Sequence, residues 1–229
     1  MPNPAPNAEL LRSLGRLVRG LSMLFWGLPI ALVVCVLTAM MGSFRSFNCL
    51  PPVAATLWLF VGLWHLGHFQ KQERVWIHAL DYARWLALVN VGLSPFLYWW
   101  NQQPSQLWFL AMVGVMAFNG VLFLSSLNLV LYRLTAMLPD EALREETRQF
   151  AGLNRILLLG ILLMGIVLLA LSRYPIPAMM GPLDFLFVLT AGNVWIWLLI
   201  FIFLLPLAMT MALLWKIKEV ILESVFGAG

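Results

Sequence analysis

The side chains best suited to chemistry in this chain are His65 and His68, in the run Leu63-Trp64-His65-Leu66-Gly67-His68-Phe69, with Gln72 one turn further on and His78 beyond it. Neutral imidazole is the commonest metal ligand among side chains, and it also holds haem iron. The spacing restricts what this pair can do. Two histidines three apart on a helix point the same way, so they do not clamp one haem from opposite sides. Zinc would need a third and a fourth ligand, and the sequence offers none at a suitable spacing, so no metal site is expected. Polar rings reaching toward a membrane surface explain the pair more simply. A haem- or quinone-associated redox subunit, with His65 and His68 as the cofactor-binding residues, stands as the third functional reading.

A second set consists of amides and hydroxyls inside apolar runs: Asn90, then Asn119, Ser125, Ser126 and Asn128, then Thr190 and Asn193. In lipid such groups seek partners on neighbouring helices. They are therefore read first as contacts between helices, and second as the lining of a polar path through Asn90, Asn119 and Asn193. Gly114, Ala117 and Gly120 would let another helix approach closely, as suits a central helix or an oligomer contact. No Asp, Glu, Lys or Arg lies at mid-depth in any apolar run. Ion-coupled transporters depend on such groups, so that class is disfavoured.

Catalytic signatures are missing as well. The chain has no His-Glu-x-x-His, no Gly-x-Ser-x-Gly, no phosphate-cradling glycine loop and no Cys-x-x-Cys. Cys35 falls within an apolar run and Cys49 beside Pro51, which gives no disulfide framework. The expectation is a protein that is not an enzyme.

The elements that position these residues follow from composition. Apolar residues make up 62% of the 229 positions and charged residues 10%, against about 25% charged in a soluble domain. A membrane span takes about 20 apolar residues, and six such runs use most of the chain: about 22–41, 52–69, 82–100, 105–132, 153–171 and 184–215. The expected fold is an all-α integral membrane protein, a six-transmembrane-helix bundle built as three helical hairpins. Residues 1–21 form a proline-rich tip and an amphipathic helix. Arg12, Arg16 and Arg19 lie opposite Leu10, Leu14, Leu17 and Leu21, a pattern suited to the headgroup layer. Residues 22–215 form the transmembrane domain and 216–229 an amphipathic tail. Residues 70–81 read as a short amphipathic connector carrying Lys71, Arg74 and Trp76.

Charge sets the sidedness. The longest polar interval, Tyr132 to Arg155, holds four of the fourteen basic residues and four of the ten acidic ones. Within it, Leu143, Thr147, Phe150 and Asn154 share one helix face, and Asp140 stands one turn from Arg144. With six passes and the N-terminus inside, twelve of the fourteen basic residues fall on one side, leaving only Arg45 and Arg173 on the other. Short loops follow such a bias, so both termini are expected to be cytoplasmic, in a cell membrane of the bacterial inner-membrane kind. Nucleic acid is excluded by the lack of a basic polar surface. The leading functional expectation is a non-enzymatic membrane subunit or scaffold, with the lipid bilayer and other membrane subunits or its own copies as partners. A channel or facilitator for a small or lipophilic solute is the alternative.

Overall fold

The computed structural model describes residues 8–40, 48–69, 73–137, 141–173 and 194–226. They form seven helices and, among the described residues, no strand: α1 (Ala8–Met40), α2 (Leu50–Leu66), α3 (Arg74–Leu93), α4 (Pro95–Gln102), α5 (Leu107–Ala136), α6 (Glu141–Arg173) and α7 (Val194–Phe226). Four of them contain stretches long and apolar enough to cross a membrane: Arg12–Met40, Leu107–Ala136, Arg144–Val167 and Phe201–Glu223. The chain has the make-up of a helical, multi-pass membrane protein.

The second and third expected passes take a different form. Helix α2 has 17 residues, about 26 Å at 1.5 Å per residue, a little short of the ~30 Å hydrocarbon core. Pro51 and Pro52 sit in its first turn, where a proline costs little because those N–H groups have no helical partner. The third pass is divided into α3 and α4 at Ser94. Pro95 has no N–H to give the carbonyl of Val91, and the Ser94 hydroxyl donates to that carbonyl instead, at 2.8 Å. Helix α3 also begins at Arg74, so the anticipated connector from Arg74 onward is its first two turns, and Trp76 is fully buried there.

Other anticipated boundaries vanish into longer helices. Residues 8–40 form one unbroken helix of 33 residues, about 50 Å long, with no break near residue 21. Its arginines are exposed while Leu17 and Leu21 are completely buried, so the amphipathic stripe is packed against the rest of the protein. The tail behaves alike: α7 continues past Lys216 with Ile217 and Ile221 in the core. Helix α6 likewise absorbs most of the polar interval. The pattern of charge changes along each helix, but the apolar stripe that holds it in place does not.

Helices α1 and α2 make the tightest pair, antiparallel and joined through glycine. A Cβ at Gly20 would come 2.6 Å from Leu66 Cδ1 and 2.9 Å from the Gly62 carbonyl oxygen. One at Gly27 would meet Leu59 and Trp58 at 2.9 Å, and Gly62 in turn receives Leu24. Backbones this close gain dispersion contact, the main source of helix association where water is absent. Gly114 and Gly120 of α5 have nothing within 4 Å of a built Cβ. The close approach expected on that helix is thus not made by any described part of this chain, and the glycines that do bring helices together are on α1 and α2.

Contacts between helix ends show which groups share a side. The Arg84 guanidinium of α3 donates to the carbonyls of Leu63 (3.3 Å) and Trp64 (3.4 Å) at the C-terminal end of α2. It lies 5.2 Å from the Trp64 ring centroid and pairs with Asp81 at 2.9 Å. Arg144 of α6 donates to the carbonyl of Ala136 at the end of α5 (3.2 Å), and Lys216 of α7 pairs with Glu146 of α6. Arginines placed at helix C-termini satisfy free carbonyls and favour the negative end of the helix dipole. At the other end, Asn101 Nδ2 donates to the carbonyl of Ala39 (2.9 Å) and Tyr98 donates its hydroxyl to Asn48 Oδ1 (3.1 Å). Asn48 holds a left-handed backbone with φ of 53°, which asparagine tolerates better than most residues. Phe96, Trp99 and Phe109 cluster nearby, with centroids 5.1 to 6.4 Å apart.

Candidate functional site

Within the bundle three polar side chains gather at one point. Thr210 of α7, with no exposed surface, accepts a hydrogen bond from Asn128 Nδ2 of α5 at 3.0 Å and another from Asn154 Nδ2 of α6 at 3.0 Å. Its hydroxyl proton goes to the carbonyl of Pro206 at 2.8 Å. The Asn154 amide also reaches that carbonyl at 3.3 Å, and Asn128 adds a bond to Leu124 O at 2.8 Å. One hydroxyl with a single donor and two acceptor positions is thereby fully used. Three helices meet on it. The node has a loose end as well, because Asn154 Oδ1 is buried without a partner among the described residues.

Asn119 is committed in the same manner, donating to the carbonyl of Leu86 on α3 at 2.8 Å. Asn90 differs, with its Oδ1 buried and unpartnered among the described residues. Asn193 and Thr190 lie outside the described residues, as do Asp140, Lys71 and Arg45. Among the amides expected to line a path, Asn119 is thus spent on a neighbouring helix, and so is Asn128 from the wider set. Of the connector face, Thr147 and Asn154 are buried but Phe150 is exposed.

The two histidines are each tied to their own helix. His65 Nδ1 lies 2.9 Å from the Val61 carbonyl and His68 Nδ1 lies 3.2 Å from that of Trp64. A carbonyl only accepts, so Nδ1 is the donating nitrogen in both rings. His78 is exposed. Among the described residues no three His, Cys, Asp or Glu side chains come together as a metal-binding group.

The structure adds a feature that the sequence does not announce. Helices α3 and α6 both pack against α5, and between them a trough of about 420 Å³ runs along α5. Tyr132 and Arg148 line it, as do Ser125, Ser126 and Arg155, and Leu122 and Leu158. Their order along antiparallel α5 and α6 puts Tyr132 and Arg148 at one end and Leu122 and Leu158 at the other, with Arg155 one turn short of Leu158. Tyr82 of α3 forms the far wall, and Ala151 with Gly152 keeps the α6 wall low. Ser126 is 5% exposed, and its hydroxyl has no partner among the described residues. Neither Arg148 nor Arg155 belongs to an ion pair among the described residues, where the pairs are Arg84–Asp81 and Lys216–Glu146. Arg12, Arg16 and Arg19 are exposed on α1, outside this trough.

No protein-family model matches the chain, and neither a curated protein nor a solved structure does.

Proposed function

We propose that this chain is a six-pass membrane protein with both termini on its basic, cytoplasmic side, acting as a non-enzymatic subunit or scaffold in a membrane of the bacterial inner-membrane type. The six passes are α1, α2, α3 with α4, α5, α6 and α7, each antiparallel to the next. The basic bias supports the orientation, since the helix ends tied together by Arg84, Arg144 and Lys216 are those that carry nearly all the cationic residues.

The observation that carries the functional reading is the use made of the intramembrane amides. Asn119, Asn128 and Asn154 all donate to a neighbouring helix, so they supply cohesion where a conduit would need them turned toward a solute. What the chain then offers is a rigid body and its outer surface. On that surface Gly114 and Ala117 of α5 are exposed beside Val115 and Phe118, and small residues of this kind are where membrane helices associate closely.

Two measurements test this. Mass determination of the purified chain in mild detergent is expected to give a particle larger than one chain, and Gly114→Leu with Ala117→Leu is expected to dissociate it. A lone monomer in mild detergent and in bilayer discs would overturn the subunit reading. Solute flux in liposomes that disappears when Asn90 or Asn119 is replaced by Leu, with the fold intact, would favour the channel alternative. A Soret band in the purified protein would favour the redox one.

A further inference from the structure

The trough along α5 has the chemical gradient of an amphiphile. We infer that it holds an anionic phospholipid, with the phosphate between Arg148 and Arg155 and an acyl chain laid toward Leu122 and Leu158. This rests on the six-pass placement of the basic end at the cytoplasmic headgroup layer, and is independent of whether the chain acts as a scaffold.

Charge complementarity comes first. Arg148 and Arg155 are seven residues apart, two turns and about 10.5 Å along α6, on the same face. Both line the trough, neither is paired among the described residues, and no carboxylate lines it. Two guanidinium forks converging on one phosphate from above and below give the planar, multidentate geometry that arginine favours. The second observation is Ser126, which lines the trough and whose buried hydroxyl has no partner among the described residues. A buried donor left without an acceptor costs free energy. Basic pockets between transmembrane helices on the cytoplasmic side are where phosphate headgroups are held.

The apolar end argues for a lipid over a free anion. At ~30 Å³ per molecule, water would fill the trough with roughly 14 molecules, several of them against Leu122 and Leu158. An acyl chain covers the same leucines at no such cost. The volume lies within the ~300 to 1,000 Å³ of ordinary ligand sites. Gly152 matters here because a Cβ built on it meets nothing within 4 Å, which leaves the trough open on that wall.

The test uses the full-length chain in non-ionic detergent, offered phosphatidylglycerol, phosphatidylcholine or inorganic phosphate, with retention read by native mass spectrometry. The wild type is expected to hold phosphatidylglycerol roughly 10- to 30-fold more tightly than phosphatidylcholine, as two arginines near a headgroup allow. Arg148→Gln with Arg155→Gln is expected to remove that preference. Arg12→Gln with Arg16→Gln, equal in charge change but on α1, is expected to keep it. Gly152→Leu, whose Cβ meets nothing within 4 Å, adds bulk to the α6 wall and is expected to weaken both lipids together. Preference that survives the Arg148 and Arg155 substitutions, or that falls equally with those at Arg12 and Arg16, overturns the site. Displacement of the lipid by inorganic phosphate at comparable concentration overturns the lipid assignment. Cysteine labelling that puts the Arg148 end and the Arg12 end on opposite faces would instead sink the membrane topology, a result distinct from any of these.

Discussion

Replacing Thr210 by valine removes one oxygen and leaves the side-chain shape, so it isolates the node that joins α5, α6 and α7. Two interhelical hydrogen bonds end on that oxygen, from Asn128 Nδ2 and Asn154 Nδ2, each 3.0 Å long. Hydrogen bonds between membrane helices average about 0.6 kcal/mol and reach about 1.7, which brackets the loss between about 1.2 and 3.4 kcal/mol. Each amide retains a second acceptor, Leu124 O at 2.8 Å and Pro206 O at 3.3 Å, so neither is left bare. Burial pulls the other way, since Asn154 and Thr210 have no exposed surface and an unmet amide hydrogen there is costly. The expected destabilisation is about 2 kcal/mol. Thr210→Ser, which keeps the oxygen, should cost less than about 1 kcal/mol through its missing methyl. The assay is reversible unfolding in mixed micelles of rising dodecyl sulfate fraction, followed by far-ultraviolet circular dichroism. A double-mutant cycle of Thr210→Val with Asn154→Leu should then show a coupling of about 0.6 kcal/mol or more. If Thr210→Val falls within about 0.3 kcal/mol of wild type, or if the serine variant is equally damaged, hydrogen bonding at this node does not hold the three helices and the reasoning fails.

Other substitutions probe the rest of the bundle by the same unfolding assay. Gly67→Ala places a Cβ inside the Arg84 guanidinium, displacing it from the Leu63 and Trp64 carbonyls, and should cost about 1 kcal/mol at this half-exposed site. Gly92→Ala meets nothing within 4 Å and should be neutral or stabilising by about 0.5 kcal/mol, because alanine loses less backbone entropy in a helix. Gly20→Leu drives α1 away from the Gly62 backbone and should cost about 1 to 3 kcal/mol. Ser94→Ala strands the Val91 carbonyl beside Pro95 and should cost about 0.5 to 1.5 kcal/mol.

What was legible in advance follows from where each signal is stored. Hydropathy is a property of contiguous residues, so α1, α5, α6 and α7 stand out in the sequence. Their ends do not, because Leu17, Leu21, Ile217 and Ile221 continue the buried stripe beyond the point where arginine and lysine appear. Asn128 attracts notice as an amide within an apolar run. Thr210 does not, since a threonine bonded to its own i−4 carbonyl is unremarkable in an apolar helix. Its role exists only because residues 82 and 56 positions away are folded against it. Gly20 and Gly27 carried a readable sign, two glycines seven apart on one face, whereas attention to Gly114 and Gly120 followed their density along α5. The trough is illegible in principle: Arg148 and Arg155 look like solvated connector residues until α3 is placed opposite them.

The node and the trough are not separate features. Asn128 belongs to both, donating to Thr210 while lining the trough, and Asn154 fixes the depth at which α6 sits against α7. Since α6 carries Arg148 and Arg155, the position of the trough's basic wall depends on a hydroxyl on the other side of that helix. Loosening α6 should therefore blunt lipid selectivity even though Thr210 is absent from the trough's lining. Destabilisation elsewhere should not. Gly20→Leu acts between α1 and α2, which do not line the trough, and it provides the comparison at similar loss of stability. Measured under conditions where both variants remain folded, Thr210→Val is expected to lower the preference for phosphatidylglycerol by roughly 3-fold or more, about 0.65 kcal/mol of differential binding, while Gly20→Leu leaves it unchanged. Equal effects from the two would mean that stability alone governs lipid retention, and that the three-helix node has no part in shaping the trough.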